Sequence, residues 1–382
     1  MKNKLPFGII FFFCFSFCIF GQTQQVASVV HTQHKINSTA LGEERTVLVR
    51  VPASYAGRDE RFPTLYMLDA HPPQNAMMAG IVEQQAWGGM MPEMIIVGIQ
   101  NTNRTRDLTP TKTERAGSGG GDKFLDFLEK EVIPLVEKNY RTQPFRVFAG
   151  HSLGGLFAVY TFVSRPDLFN AYIAASPVLH WDNDFVIKRA EEVFRQNKDW
   201  KKTMFIGLGN EPDYVKGFNS FQNLLKKTKP KNFEYEFQEF PKDTHGSVVL
   251  PAYYAGLRKI FEGWTPPTTG AIADLENHYQ KLSTRFGYEM KPPEAMLNQI
   301  GYGLLRANRM VEAIAAFRKN AANHPNSANV YDSFAEALEK NGQLKQAAEN
   351  YEKAYRRAET NGETQLAQTA KANFERISAK LK

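Results

Sequence analysis

The eleven residues "FRVFAGHSLGG" (145–155) decide the fold of this chain. They run from an apolar, strand-like stretch directly into a turn in which Ser152 lies between small residues. Gly150 and Gly154 complete the pattern G-x-S-x-G, a sharp strand-to-helix turn that lifts a serine hydroxyl out of a β-sheet. The apolar stretch "LFAVYTFV" follows and is typical of a helix packed on that sheet. The pattern predicts Ser152 as a nucleophile; its alternative interpretation is a glycine-rich structural turn.

Strand-like and helix-like stretches alternate on both sides of this unit. Several of the strands are almost entirely apolar, which indicates burial on both faces of the sheet. The pattern therefore predicts a mainly parallel sheet covered by helices on both faces. The strand–turn–helix unit at Ser152 is typical of the α/β-hydrolase fold. The predicted strands are "TVLVRVP" (46–52), "TLYMLDA" (64–70), "MIIVGIQNT" (94–102), "FRVFAG" (145–150), "AYIAASP" (171–177), "TMFIGLGN" (203–210) and "FEYEFQEFP" (233–241), and an amphipathic helix is predicted over 121–140.

The pattern changes after the linker-like stretch "GWTPPTTG" (263–270), beyond which only helical periodicity is seen. Segments that begin at Leu297 and Tyr331 align with an offset of 34 residues, the tetratricopeptide period. We therefore expect an α/β-hydrolase domain over 26–266 and an all-α, tetratricopeptide-like domain over 275–382. Such repeats could bind a protein partner or mediate self-association.

The N-terminal segment 1–21 has the pattern of a signal peptide. A charged start is followed by an apolar run too short for a comfortable membrane span. We expect an exported, periplasmic or secreted protein without a stable membrane span after cleavage; an uncleaved anchor is the alternative. Both cysteines, Cys14 and Cys18, lie in this segment, which excludes disulfides and cysteine catalysis in the mature chain. The net charge of +7 is dispersed, so nucleic-acid binding is not expected.

A serine nucleophile needs a base and an acid, which in this fold follow it in the order serine, acid, histidine. His245 lies in the polar loop "PKDTHGS" after the last predicted strand, where a general base is expected. Glu211 directly follows the preceding strand and Asp213 comes two residues later. Either carboxylate could orient the imidazole. Glu211 is preferred because it lies closer to the strand end.

The remaining site predictions concern the oxyanion and the substrate. The backbone N–H of Leu153 is one expected oxyanion donor, and Ala70 or His71 the second, because the two prolines that follow have no N–H. Arg104 and Arg106 are candidate ligands for an anionic substrate, unless Arg106 braces its loop through a carboxylate. No cofactor or metal motif is present in the sequence. Trp181 is a candidate stacking surface for an aromatic group, with loop packing as the alternative.

Six stretches together resemble the esterase D-like branch of the α/β-hydrolases, and above all its siderophore-esterase-like members. The resemblance covers about residues 30–265 and implies a serine, a histidine and an acidic partner without a metal. It agrees with Ser152 and His245; the helical tail lies outside the usual pattern of that branch. The stretches, in chain order, are "LYMLDA", "NTNRTRDLTPT", "GHSLGG", "ASPVLHWD", "GLGNEPD" and "DTHGS".

The sequence thus predicts an exported serine esterase that hydrolyses a small-molecule or glycan ester through an acyl-enzyme on Ser152. Siderophore esters and carbohydrate-linked acyl esters are both candidate substrates. Two alternatives remain open from the sequence. One is a non-catalytic hydrolase-like scaffold that binds a protein partner through its repeats, and the other is an acyltransferase.

Overall fold

A computed structural model describes residues 31–57, 59–196, 199–268 and 271–382. The predicted signal peptide therefore lies outside the described residues. Within the described ranges, every helix falls short of the length and hydrophobicity that a membrane crossing requires.

One eight-stranded sheet forms the centre of the molecule, in the order β1-β2-β4-β3-β5-β6-β7-β8. The pairings β1–β2 and β2–β4 are antiparallel, whereas all pairings from β4 to β8 are parallel. The predicted mainly parallel sheet is confirmed. The strands are β1 (Thr32–Ser38), β2 (Glu43–Arg50), β3 (Phe62–Met67), β4 (Ile95–Ile99), β5 (Thr142–His151), β6 (Ala171–Ala175), β7 (Lys202–Leu208) and β8 (Phe233–Glu239).

Helices connect the strands and then continue alone to the end of the chain, as the predicted change of architecture requires. A 3₁₀ turn covers Ala53–Gly57. A π-helical segment, Leu128–Val132, interrupts the helix predicted over 121–140, just before Pro134, which has no N–H for a regular helical bond. The α-helices are α1 (Pro72–Trp87), α2 (Arg104–Asp107), α3 (Gly121–Phe127), α4 (Ile133–Asn139), α5 (Leu153–Ser164), α6 (Trp181–Phe194), α7 (Pro212–Thr228), α8 (Val249–Ile260), α9 (Ile272–Phe286), α10 (Glu294–Arg306), α11 (Met310–Asn323), α12 (Ala328–Lys340), α13 (Leu344–Asn361) and α14 (Thr364–Lys380).

Helix α5 is the most deeply buried helix next to the sheet. Every residue from Leu153 to Val163 is buried, so the helix that starts at Ser152 has almost no solvent-exposed face. Gly155 permits this close packing, because a Cβ atom there would lie 3.0 Å from the Cα atom of Pro177. The start of α5 is thereby fixed against the end of β6.

The helical tail repeats its boundaries with the expected spacing. Helices α10 and α12 begin 34 residues apart, at Glu294 and Ala328, as do α11 and α13. A Cβ atom on Gly301 of α10 would lie 2.6 Å from the ring of Phe317 on α11. Helices α10 and α11 therefore approach closely at this small residue. The assignment of these pairs to the tetratricopeptide class stays a prediction.

Helix α9 packs on the part of the chain that forms the sheet, through one aromatic side chain. Phe286, only 2% exposed, lies 4.9 Å from the ring of Phe145 and 5.4 Å from that of Phe261. The ring of Trp264 is 5.6 Å away. The neighbouring Arg285 donates to the Ile260 carbonyl oxygen and pairs with a carboxylate on β8. Helix α9 therefore covers apolar surface that belongs to the residues of the sheet domain.

We expect Phe286→Ala to lower the free energy of unfolding by about 3 kcal/mol, because it opens a cavity in this aromatic cluster. Urea denaturation of the full chain measures the change. Leu381→Ala, at an exposed position near the end of α14, is the control and should leave stability unchanged. Equal stability of both variants would contradict the packing role of α9.

Candidate active site

Ser152 occupies a strained turn at the carboxyl end of β5. Its backbone has φ 60° and ψ −117°, a conformation that side-chain-bearing residues rarely adopt. A Cβ atom on Gly150 would lie 2.2 Å from the carbonyl oxygen of Gly154, so glycine is required there. The Ser152 N–H donates to the Ala175 carbonyl oxygen at 2.9 Å. The predicted strand–turn–helix unit is therefore formed, with the serine at the edge of the sheet.

A chain of hydrogen bonds connects His245 to the ends of β6 and β7. Its Nδ1 atom bonds to Oε1 of Glu211, whose Oε2 atom accepts from the hydroxyl of Ser176. The hydroxyl oxygen of Ser176 accepts in turn from the N–H of Gly209 at 3.1 Å. The Glu211 side chain is 8% exposed, whereas Asp213 is exposed and does not bond to His245. Of the two acids that the sequence left open, the structure thus places Glu211 against the histidine.

Ser152 and His245 line the same cavity of about 390 Å³, although no hydrogen bond joins them. The ring of His245 lies 4.5 Å from the ring of His151 on β5. It lies 5.4 Å from the ring of Tyr214 on α7. Burial, together with the nearby His245, lowers the pKa of His151 to about 4. At neutral pH a neutral imidazole therefore packs against His245 and does not compete with it for a proton.

A second cavity of about 640 Å³ adjoins the first, and Ser152 and Arg104 line both. Trp181 and Arg115 line only this larger cavity. The Trp181 side chain is largely buried, and its indole N–H donates to Thr111 at 3.0 Å. Ser152 therefore lies at the junction of two cavities.

The expected oxyanion donors differ in whether their N–H groups are available. No acceptor among the described residues takes the N–H of Leu153. The N–H of Ala70 donates to the Ile99 carbonyl oxygen at 3.2 Å, and that of His71 to the Asp69 carbonyl oxygen at 2.9 Å. The structure therefore presents one uncommitted backbone donor beside Ser152.

Both predicted substrate arginines are bound to carboxylates of the protein. Arg104 makes a two-pronged ion pair with Asp69, at 2.6 and 3.0 Å, and donates to the His151 carbonyl oxygen at 2.9 Å. Arg106 bonds to Glu43 and to Asp107, each at 2.7 Å, and lines neither cavity. This is the loop-bracing arrangement that the sequence left open for Arg106. Of the two predicted arginines, only Arg104 lines the cavities.

The sequence reasoning missed three side chains at or near the site. Ser176 holds the far oxygen of Glu211, Tyr214 packs on His245, and Arg115 faces the larger cavity without a carboxylate partner among the described residues. Ser176 could have been found from the sequence, because it lies near the end of the strand predicted over 171–177, at the sheet edge with Ser152. Tyr214 could have been found because it lies three residues after Glu211, at the start of the following helix. Arg115 lies in a glycine-rich loop whose course the sequence does not determine.

Comparison with known proteins agrees with this geometry. The family model described as "Putative esterase" matches residues 38–248, which is more than half of the chain. The chain belongs to this esterase family. The ferri-bacillibactin esterase BesA of Bacillus subtilis is 32% identical over 229 residues, which cover 52% of this chain and 78% of BesA. The resemblance to siderophore-esterase-like members is thereby confirmed.

Solved structures show the same similarity. An IroE-like serine hydrolase from Shewanella oneidensis superposes with a TM-score of 0.64 at 30% identity, covering 73% of this chain and 95% of that one. An uncharacterised protein from Capnocytophaga ochracea covers 92% of this chain and 100% of that one, with a TM-score of 0.65 and 17% identity, which is a likeness of fold alone. The family match and the similarity to BesA and to the IroE-like hydrolase identify this chain as a carboxylic ester hydrolase.

In the described part of the chain no group of three or more metal-ligating side chains comes together.

We expect Ser152→Gly to raise the free energy of unfolding by about 1 kcal/mol, because glycine adopts positive φ without strain. Ser152→Ala removes the same hydroxyl but keeps a Cβ atom, so it should not show this gain. Urea denaturation of both variants beside the wild type measures the difference. Equal midpoints for the two variants would show that the turn stores no backbone strain.

Proposed function

We propose that this esterase hydrolyses the ester bonds of siderophores through a Ser152–His245–Glu211 triad and an acyl-enzyme. The observation that carries the proposal is the Glu211–His245 hydrogen bond beside the strained Ser152 turn, at the junction of two cavities. The similarity to a ferri-bacillibactin esterase supports the substrate class.

The proposed reaction uses these groups in sequence. The Ser152 hydroxyl attacks the ester carbonyl carbon, and its proton passes to Nε2 of His245. Glu211 accepts a hydrogen bond from Nδ1 and stabilises the imidazolium. The charge that develops on the carbonyl oxygen faces the free N–H of Leu153. The alcohol leaves with the proton from His245, and a water molecule then hydrolyses the acyl-enzyme by the same route.

This cycle requires a hydrogen bond between Ser152 and His245 that the resting structure lacks. Both side chains line one cavity, so rotation of the serine side chain is the expected adjustment. Catalytic hydrogen bonds of this kind commonly tighten only when substrate is bound.

The substrate proposal rests on the larger cavity. Trp181 and Arg115 line it together with Arg104, whose charge is largely neutralised by Asp69. Arg115 is exposed and has no carboxylate partner in the described ranges, so we propose that it attracts the anionic groups of a siderophore. Export to the periplasm or the cell exterior is proposed from the N-terminal sequence pattern alone.

We expect Glu211→Gln to lower kcat for p-nitrophenyl butyrate by about 10⁴-fold, because the neutral amide neither fixes the required histidine tautomer nor stabilises the imidazolium. Asp213→Asn is the matched control and should retain wild-type kcat. Steady-state kinetics with Ser152→Ala as the blank measure both. A large loss in Asp213→Asn with little change in Glu211→Gln would reverse the assignment of the acid.

We expect Arg115→Gln to raise KM for a ferric catecholate siderophore about tenfold at low salt, because a charged hydrogen bond to the ligand is lost. The KM for neutral p-nitrophenyl butyrate should not change. Arg189→Gln, on helix α6 and outside both cavities, is the control. The absence of siderophore turnover by the wild-type enzyme, with the butyrate ester still cleaved, would refute the substrate class alone.

A further inference from the structure

The site holds fewer backbone donors than ester hydrolysis in this fold normally uses. Two hydrogen-bond donors usually stabilise the tetrahedral oxyanion. Here only the N–H of Leu153 is uncommitted, because Ala70 and His71 both donate to carbonyl oxygens of neighbouring residues. Arg104 is likewise occupied, by Asp69 and by the His151 carbonyl oxygen. A second donor must therefore come from another group that faces Ser152.

Tyr214 is a side chain that faces Ser152, because both residues line the larger cavity. Tyr214 and Leu153 line the larger cavity together, whereas His71 lines only the smaller one. The phenol and the free N–H therefore border the same space beside the nucleophile.

The Tyr214 ring is held firmly in this position. It lies in the first turn of α7, where its N–H donates to the carbonyl oxygen of Glu211 at 2.9 Å. The ring of His180 packs edge-on at 5.2 Å, and the ring of His245 lies at 5.4 Å. A donor fixed before the reaction begins needs no reorganisation when charge develops, which is what electrostatic stabilisation of a transition state requires.

The phenol also keeps its proton. Burial, and then the negative charge of Glu211, raise the pKa of Tyr214 above its ordinary value. Tyr214 is therefore a neutral O–H donor throughout the pH range in which His245 can act as a base.

We propose that Tyr214 is a catalytic residue whose hydroxyl donates the second hydrogen bond to the oxyanion, beside the one from the N–H of Leu153. This inference rests on the proposed serine esterase mechanism. As the Ser152 oxygen bonds to the carbonyl carbon, its proton passes to His245 and the carbonyl π electrons move onto oxygen. The Tyr214 O–H then bonds to that oxygen without transferring its proton. When the carbonyl re-forms and the alcohol leaves, the hydrogen bond weakens again.

The test compares Tyr214→Phe with wild type on two esters of one acid, p-nitrophenyl butyrate and ethyl butyrate. Loss of one oxyanion donor should lower kcat by about 10²-fold for both esters and leave KM nearly unchanged. The phenyl ring keeps its packing on His180 and His245, so a merely structural role would not produce this pattern. Tyr254→Phe, at a partly exposed tyrosine on α8, is the matched control and should retain wild-type kcat.

Two outcomes of the kinetic test overturn the proposal. An unchanged kcat in Tyr214→Phe shows that the hydroxyl takes no part in catalysis. A loss confined to ethyl butyrate shows instead that Tyr214 protonates the leaving alcohol, because p-nitrophenolate leaves without such help.

A trifluoromethyl ketone separates this inference from the proposed function. Its carbonyl accepts the Ser152 oxygen to give a stable oxyanion adduct, so its affinity reports the oxyanion site without turnover. We expect Tyr214→Phe to weaken inhibition or binding about 10²-fold. If the folded wild type forms the adduct but cleaves no ester, the proposed function fails while this comparison still decides the role of Tyr214. Equal affinity in the variant, or no adduct with the wild type, overturns the inference.

Discussion

The turn at Ser152 is the constraint on which the rest of the site depends. A positive φ at a side-chain-bearing residue persists only where the surrounding structure imposes it. Here the Gly154 carbonyl packs directly against Gly150, before Ser152 in the chain. The buried helix α5 fixes the chain that follows Ser152. A shift of β5 or α5 would disturb the packing of this buried helix. The serine hydroxyl is therefore aimed by packing, and the remaining groups come to it from neighbouring strand ends.

The charged side chains of the loop beside this site are paired with one another within the protein. Arg45 is fully buried, bonds to Asp107 at 2.5 Å, and packs over the ring of Phe124 at 5.2 Å. Arg106 joins this pair to Glu43 and, through its hydrogen bond, holds the pKa of that carboxyl at about 2. A network of paired charges holds its loop in a definite position. Breaking one ion pair would leave a buried charge without a partner, which is strongly unfavourable. The loop with Arg104 is thereby held against the strand ends.

The sequence predicts what depends on neighbours in the chain and misses what depends on distant ones. The seven predicted strands and the Ser152 turn follow from local pattern. Strand β1 was missed because its polar alternation, "TQHKINS", lacks the apolar signal of the central strands. The roles of Arg104 and Arg106 depended on Asp69 and Glu43, which are far away in sequence. The second oxyanion donor was sought after β3, but the hydrogen bonds that occupy those N–H groups are visible only in three dimensions.

Glu211 shows how the parallel sheet turns separate segments into one chemical unit. The carboxyl ends of β5, β6 and β7 meet at one edge, which brings Ser152, Ser176 and Glu211 together. An ionised carboxylate only accepts hydrogen bonds, so the proton in its bond to His245 lies on Nδ1. The neutral imidazole then carries its lone pair on Nε2, the nitrogen that receives the serine proton in the proposed mechanism. Because Ser176 bonds to the other carboxylate oxygen, it opposes rotation of Glu211 away from His245. The tautomer that the proposed mechanism needs is therefore favoured by the ends of two strands that carry neither reacting group.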